Sequence, residues 1–137
     1  MKNVITFLIL LFMMFSFCQN NESESGNTAT GLDNISNFHD LFAGKNVGVI
    51  TNHTGYNSQG KFITDVFREL EGVKVAALFG PEHGVRGQAE AGEQIDTSLD
   101  EDLKIPVYSL YGKTRKPTAE MLQNIDLLVF DIQDIGA

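Results

Sequence analysis

Several things are scarce in this chain, and each scarcity removes a class of protein. There is a single cysteine, Cys18, so no internal disulfide is available. Basic residues number 10 against 18 acidic ones, giving a formal charge of −8. No basic cluster offers a phosphate-tracking surface, so no nucleic acid partner is expected. The scattered acidity serves solubility. No apolar run reaches the roughly 17–25 residues of a membrane-spanning helix. No Gly-x-Gly-x-x-Gly follows the first strand-like run of the folded part, so no dinucleotide cofactor is expected. Gly112-Lys113-Thr114 looks like the end of a P-loop, but that motif's opening glycine would fall at position 107, where Val107 stands. His-x-x-x-His and His-Glu-x-x-His spacings are missing too. No metal is therefore expected, although His53, His83, Glu82 and Asp131 are the groups that would hold one.

What is present divides into three parts. Lys2 and the apolar run Val4 to Phe15, broken only by Thr6, have the charge and length of a secretory signal. Cys18 directly after it has the position of a bacterial lipoprotein cysteine, although Phe17 is larger than the small residue that pattern prefers. Residues 1–18 therefore read as a signal peptide, possible lipidation falls on Cys18, and the protein is expected to be exported, periplasmic or anchored to a bacterial membrane. Gln19 to Gly31 holds one alanine and nothing larger that is apolar. It cannot bury enough surface to offset its ordering entropy and reads as a tether. Residues 32–137 remain for one small domain.

Within that domain the hydrophobic periods alternate. Ile35, Phe38, Leu41 and Phe42 recur at helical spacing, with Asp33 or Asn34 as N-cap and Gly44 closing the helix. Val47 to Thr51 is a β-branched strand. Phe62, Ile63, Val66, Phe67 and Leu70 mark a second helix that stops at Gly72. Lys74 to Phe79 is the second strand. Gln88 to Ile105 is long, acidic and weakly periodic, as active-site loops often are. Pro106 to Tyr111 reads as a third strand, Thr118 caps a short helix to Asn124, and Leu127 to Phe130 is a fourth strand without polar alternation. Such strands are buried on both faces. The expected fold is α/β: a Rossmann-like, mostly parallel sheet of about four strands with helices on both faces.

Parallel strands put their carboxyl ends on one edge, where open α/β sheets bind ligands. That edge collects Asn52 and His53, then Glu82, His83 and Arg86, then Tyr111, Lys113 and Arg115, and finally Asp131, Gln133 and Asp134. The densest stretch is Phe79-Gly80-Pro81-Glu82-His83-Gly84-Val85-Arg86-Gly87, which joins a carboxylate, an imidazole and a guanidinium between glycines. An exported, tethered protein meets polysaccharide and peptidoglycan. Glycoside cleavage needs a carboxyl group near the leaving oxygen and a second group across the ring. Glu82 is the natural acid, and Asp131 and Asp134 are candidate partners. The amides of Asn52 and Gln133 and the Tyr111 hydroxyl suit sugar hydroxyl or N-acetyl groups.

The blocks Asn46 to Gly55, Phe79 to Gly87, Ala91-Gly92-Glu93, Pro106 to Gly112, Arg115 to Thr118 and Val129 to Ala137 also resemble the exo-β-N-acetylmuramidase (NamZ) family, in order. The resemblance implies the N-terminal Rossmann-like domain of enzymes that release N-acetylmuramic acid from the non-reducing end of peptidoglycan fragments. Its implied substrates are MurNAc-GlcNAc saccharides, with no cofactor and with Glu82 catalytic. The remaining substrate-binding candidates are Asn52, His53, His83, Arg86, Glu93, Tyr111, Arg115, Asp131, Gln133 and Asp134. Family members continue past Ala137 and complete the sheet, so this chain is expected to be incomplete relative to them. Two other readings stay open on sequence: a non-catalytic surface lipoprotein that binds muropeptides, and a metal-dependent hydrolase.

Overall fold

The computed structural model describes residues 28–81, 84–87 and 97–133. Among these residues five strands form one sheet: β1 (Asn46–Thr51), β2 (Lys74–Gly80), β3 (Ser98–Leu99), β4 (Pro106–Ser109) and β5 (Leu127–Asp131), in the order β3-β4-β2-β1-β5. β1 pairs in parallel with β2 and β5, and β2 with β4; only β3 runs antiparallel. The α/β class and the mostly parallel sheet are as expected. The fifth strand, β3, lies inside the stretch expected to be a loop, and its two residues show too little pattern to announce a strand. Opposite the Val47–Gly48 step, β2 carries one extra residue, Ala76, a bulge that shifts the register from Val47↔Val75 to Gly48↔Ala77.

The helices are shorter than the periodicity implied. A 3-10 helix, Leu32–Phe38, leads into a single turn, α1 (His39–Phe42), and α2 spans Ile63–Arg68. Neither Asp33 nor Asn34 is the N-cap; Thr30 and Asp33 instead exchange reciprocal bonds, Asp33 N–H to Thr30 Oγ1 and Thr30 N–H to Asp33 Oδ2. Leu32 in the 3-10 helix and Phe42 in the α turn are buried and Ile35 packs partly against the core, whereas Phe38 and Leu41 are exposed. Gly44 does close the segment, with φ 73°. Among the described residues no helix follows Thr118. Residues 119–124 form consecutive turns, in which Met121 N–H donates to Thr118 Oγ1.

One face of the sheet carries the main core. Val47, Val49, Val75 and Leu78 pack with Phe42, Phe62, Ile63, Val66 and Phe67, joined by Val107, Leu127 and Val129. Phe42 and Phe67 meet edge to face at 5.2 Å. The described helices all feed this cluster, so the expected helices on both faces are not found among the described residues. On the other face Phe79 is fully buried, tilted against Tyr108 at 5.4 Å. Gly48 makes room there: a Cβ on it would stand 2.8 Å from Leu128 Cδ2 and 3.0 Å from Phe79 Cε2. β5 is an edge strand of this sheet. It alternates rather than being buried throughout, with Leu128 39% and Phe130 70% exposed.

Candidate active site

The carboxyl ends of β1, β2, β4 and β5 share an edge, as parallel pairing requires. After β1 the chain makes a tight loop. Asn52 Oδ1 accepts from Thr54 N–H at 2.9 Å and from Thr54 Oγ1 at 2.6 Å, the local bond that favours asparagine in turns. The loop closes with the isolated bridge Tyr56↔Phe62, whose rings lie 5.1 Å apart. Asn57 Oδ1 accepts from the N–H groups of Gln59 and Lys61. His53 is exposed on this loop and lies against Gly87.

After β2 the backbone doubles back at once. Gly84 N–H donates to the Pro81 carbonyl at 2.7 Å. A Cβ on Gly80 would meet Val85 N at 2.8 Å, so only glycine fits beneath the returning chain. Val85 is buried in the core, and Arg86 turns outward at 42% side-chain exposure. Its guanidinium lies 5.2 Å from the centre of the Phe62 ring and donates from Nη2 to Asp100 Oδ2 at 3.0 Å. Asp100 is buried, and its Oδ1 accepts from the N–H groups of Asp102 and Leu103. Burial alone would raise the Asp100 pKa; the Leu103 N–H, Arg86 and the Asp102 N–H outweigh it and hold the group below the ordinary carboxylate range. Arg86 thus has an ion-pair and aromatic partner inside the chain. A cleft of about 280 Å³ beside it is lined by Thr64, Asp65, Arg68, Arg86, Asp102 and Leu103.

After β4, Leu110 N–H extends the ladder to the Gly80 carbonyl at 2.8 Å. Tyr111 is half-buried and its N–H donates to Ser109 Oγ; Arg115 is exposed. At the end of β5, Asp131 is half-buried opposite the fully buried Thr51, and burial pushes its carboxyl pKa up. Gln133 reaches back to the loop after β1. Its N–H donates to Thr54 Oγ1 and its Nε2 to the Tyr56 carbonyl, each at 3.0 Å. The structure therefore brings Asn52 and His53, on the loop after β1, beside Asp131 at the end of β5 and Gln133 just after it, with Gly87 against His53. Glu82, His83, Glu93, Asp134 and Cys18 lie outside the described residues.

Thr54 and Asp100 were not singled out from sequence, though each organises a candidate residue. The Asn-x-Thr spacing of Asn52 and Thr54 is the signal that would have found the first. Asp100 sits in a run of acidic residues and carries no such signal. Among the described residues no three His, Cys, Asp or Glu side chains gather as a metal site, and no helix is long and apolar enough to cross a membrane.

Residues 47–137 match the family described as exo-beta-N-acetylmuramidase NamZ, N-terminal. The chain belongs to this family. The peptidoglycan beta-N-acetylmuramidase NamZ of Bacillus subtilis (strain 168) is 47% identical over 119 residues, which cover 86% of this chain and 29% of that protein. Two DUF1343 family crystal structures from Bacteroides fragilis NCTC 9343 share the fold. One has a TM-score of 0.69 at 47% identity, over 79% of this chain and 27% of the other. The second has a TM-score of 0.61 at 29% identity, over 79% and 26%. The chain thus spans under a third of the length of these relatives. The NamZ match takes in the carboxyl-edge candidates from Asn52 to Asp134, Glu82 included.

Proposed function

We propose that this chain carries the N-terminal part of an exo-acting glycoside hydrolase that releases N-acetylmuramic acid from the non-reducing end of peptidoglycan fragments. The observation that carries the reading is the 47% identity to a peptidoglycan β-N-acetylmuramidase over 86% of the chain. Glu82 is assigned as the acid. It delivers a proton to the glycosidic oxygen as the bond from C1 to that oxygen breaks, and a water oxygen ends on C1. Asp131 supports a second role, since a half-buried carboxyl with a raised pKa is the kind found at catalytic sites. The amides of Asn52 and Gln133 and the Tyr111 hydroxyl suit hydroxyl and N-acetyl groups of the sugar. Export and anchoring through Cys18 belong to the same reading, because peptidoglycan lies outside the cytoplasmic membrane; radiolabelled palmitate on the wild type and none on Cys18→Ser is the expected outcome.

The test is release of N-acetylmuramic acid from a MurNAc-GlcNAc disaccharide, by this chain and by a version extended to family length, each with and without Glu82→Gln. The substitution keeps size and removes the titratable proton. Release that collapses in the variant, about a hundredfold or more, is expected. Inactivity of the extended wild type overturns the reading, and binding of muropeptides without turnover would replace it with a sugar-binding lipoprotein.

A further inference from the structure

Four hydrogen bonds join Gln133, Tyr56, Thr54 and Asn52, and atoms with only one possible role fix their directions. The Gln133 backbone N–H can only donate, so Thr54 Oγ1 accepts from it at 3.0 Å. The Thr54 hydroxyl proton is then free to go to Asn52 Oδ1 at 2.6 Å. The Thr54 backbone N–H, also donor only, takes the same Oδ1 at 2.9 Å, which identifies that atom as the oxygen of the amide. The Tyr56 carbonyl can only accept, so the nitrogen end of the Gln133 amide faces it at 3.0 Å. Asn52 Oδ1 has two lone pairs, and both are used. The side chain has nothing left to offer but the two N–H donors of Nδ2.

We propose that Thr54 and Gln133 are positioning residues that lock the Asn52 amide, so that it presents only N–H donors to an acceptor oxygen of the ligand. In its ligand part this rests on the amino-sugar reading above. Two oxygens of N-acetylmuramic acid have that chemistry, the N-acetyl carbonyl and the lactyl carboxylate. Without the lock, Asn52 is free to turn either end of its amide to the ligand. The latch also spans the sheet edge: Gln133 lies 79 residues from Thr54 in sequence, so the loop after β1 takes its orientation from the end of β5.

The experiment has one arm without sugar and one with it. In the first, the Asn52 side-chain NH2 resonances are followed in the wild type, Thr54→Val, Thr54→Ser and Gln133→Ala. Valine keeps the shape of threonine and removes the hydroxyl; serine keeps the hydroxyl. The expected result is an ordered NH2 pair in the wild type and Thr54→Ser. That pair shifts in Thr54→Val, where the Thr54 backbone N–H alone still holds Oδ1, and shifts less in Gln133→Ala, which keeps its backbone donor. Unchanged Asn52 resonances in Thr54→Val overturn the latch. In the second arm, N-acetylmuramic acid and N-acetylglucosamine are titrated into the wild type and the same variants of the family-length protein. Loss of about tenfold in affinity in Thr54→Val, restored in Thr54→Ser, is expected. Weakening of both sugars assigns the N-acetyl carbonyl to Asn52, and weakening of N-acetylmuramic acid alone assigns the lactyl carboxylate. Equal binding by wild type and Thr54→Val overturns the ligand part. A wild type that binds neither sugar, with the first arm positive, overturns the amino-sugar reading and leaves the latch standing.

Discussion

Arg86 donates from Nη2 to the carboxylate of Asp100 at 3.0 Å, tying the turn after β2 to the turn before β4. The two partners are unequal. Asp100 is 6% exposed and serves three donors, while Arg86 is 42% exposed and keeps its contact with Phe62. Asp100→Ala leaves the Leu103 and Asp102 N–H groups and a guanidinium without their acceptor, and should cost about 2–3 kcal/mol. Arg86→Ala leaves Asp100 with its backbone donors and should cost about 1 kcal/mol. Urea denaturation of the two variants checks the order. Because the Asp100 pKa is lowered in the folded state, its contribution is present above the unfolded pKa and is lost as the pH falls through the folded one.

Asp33 should be the clearest acid-side reporter. Its carboxylate accepts from the Ser58 hydroxyl and N–H and from the Thr30 N–H and hydroxyl, which brings its pKa from 3.8 down to about 2. The ties between Thr30, Asp33 and Ser58 are therefore fully present above pH 3.8 and are lost as the pH falls through about 2. Carbon-detected NMR titration of the Asp33 carboxyl is the direct measurement. A midpoint near 3.8 would mean that the bonds to Ser58 do not hold in solution.

Asp131 runs the other way. Burial raises its folded pKa, so the folded state holds the proton more tightly than the unfolded chain. Stability then falls as the pH rises from the unfolded pKa through the folded one. Asp131→Asn should raise the thermal midpoint at pH 7 by a few degrees, leave it nearly unchanged at pH 3, and lower activity in the family-length enzyme. A variant less stable than wild type at pH 7 would show that the charged carboxylate is held by favourable partners.

Gly87 and Gly60 form a matched pair. Both have positive φ, 66° and 73°, but a Cβ at Gly60 meets nothing within 4 Å, whereas one at Gly87 stands 3.0 Å from His53 Cβ and Cγ. Gly60→Ala should cost about 1 kcal/mol for the left-handed backbone alone. Gly87→Ala should cost about 1 kcal/mol more and shift the His53 ring resonances. Equal losses would mean that His53 does not rest on Gly87.

Gly48 tests packing on the second face. Gly48→Ala presses on Phe79, which is buried, and on Leu128, which is partly exposed. It should cost about 1–3 kcal/mol. Leu128→Ala in the same chain should recover part of that loss, a coupling a double-mutant cycle reads.

The sheet was largely legible because its strands are short β-branched or apolar runs between glycines and polar turns. What the sequence misjudged has local causes. The spacing of Ile35, Phe38, Leu41 and Phe42 fits an α-helix, but the segment is a 3-10 helix through Phe38 followed by one α turn, and of these four only Ile35 and Phe42 meet the core. Thr118 supplies a cap, yet the residues after it present no broad apolar face for a helix to bury. Leu127 to Phe130 has no polar residue to betray that Leu128 and Phe130 face outward. At the site, the parallel topology made the carboxyl-edge residues readable as a group. The bonds among them, Thr54 to Asn52 and Arg86 to Asp100, depend on side-chain directions that a residue list does not contain.

β5 enters the sheet beside β1, and its start and end are both fastened far back in the chain. Asn46 N–H donates to Asp126 Oδ2 across 80 residues, and Gln133 N–H to Thr54 across 79. Pairings of such long range are slow to close, and in a chain made from its N-terminus they wait for β5 to emerge. β1, β2 and α2 are able to pack first. The loop bearing Asn52 and His53 gains its latch only when residue 133 arrives, so this loop takes its final orientation after β1, β2 and α2 have packed.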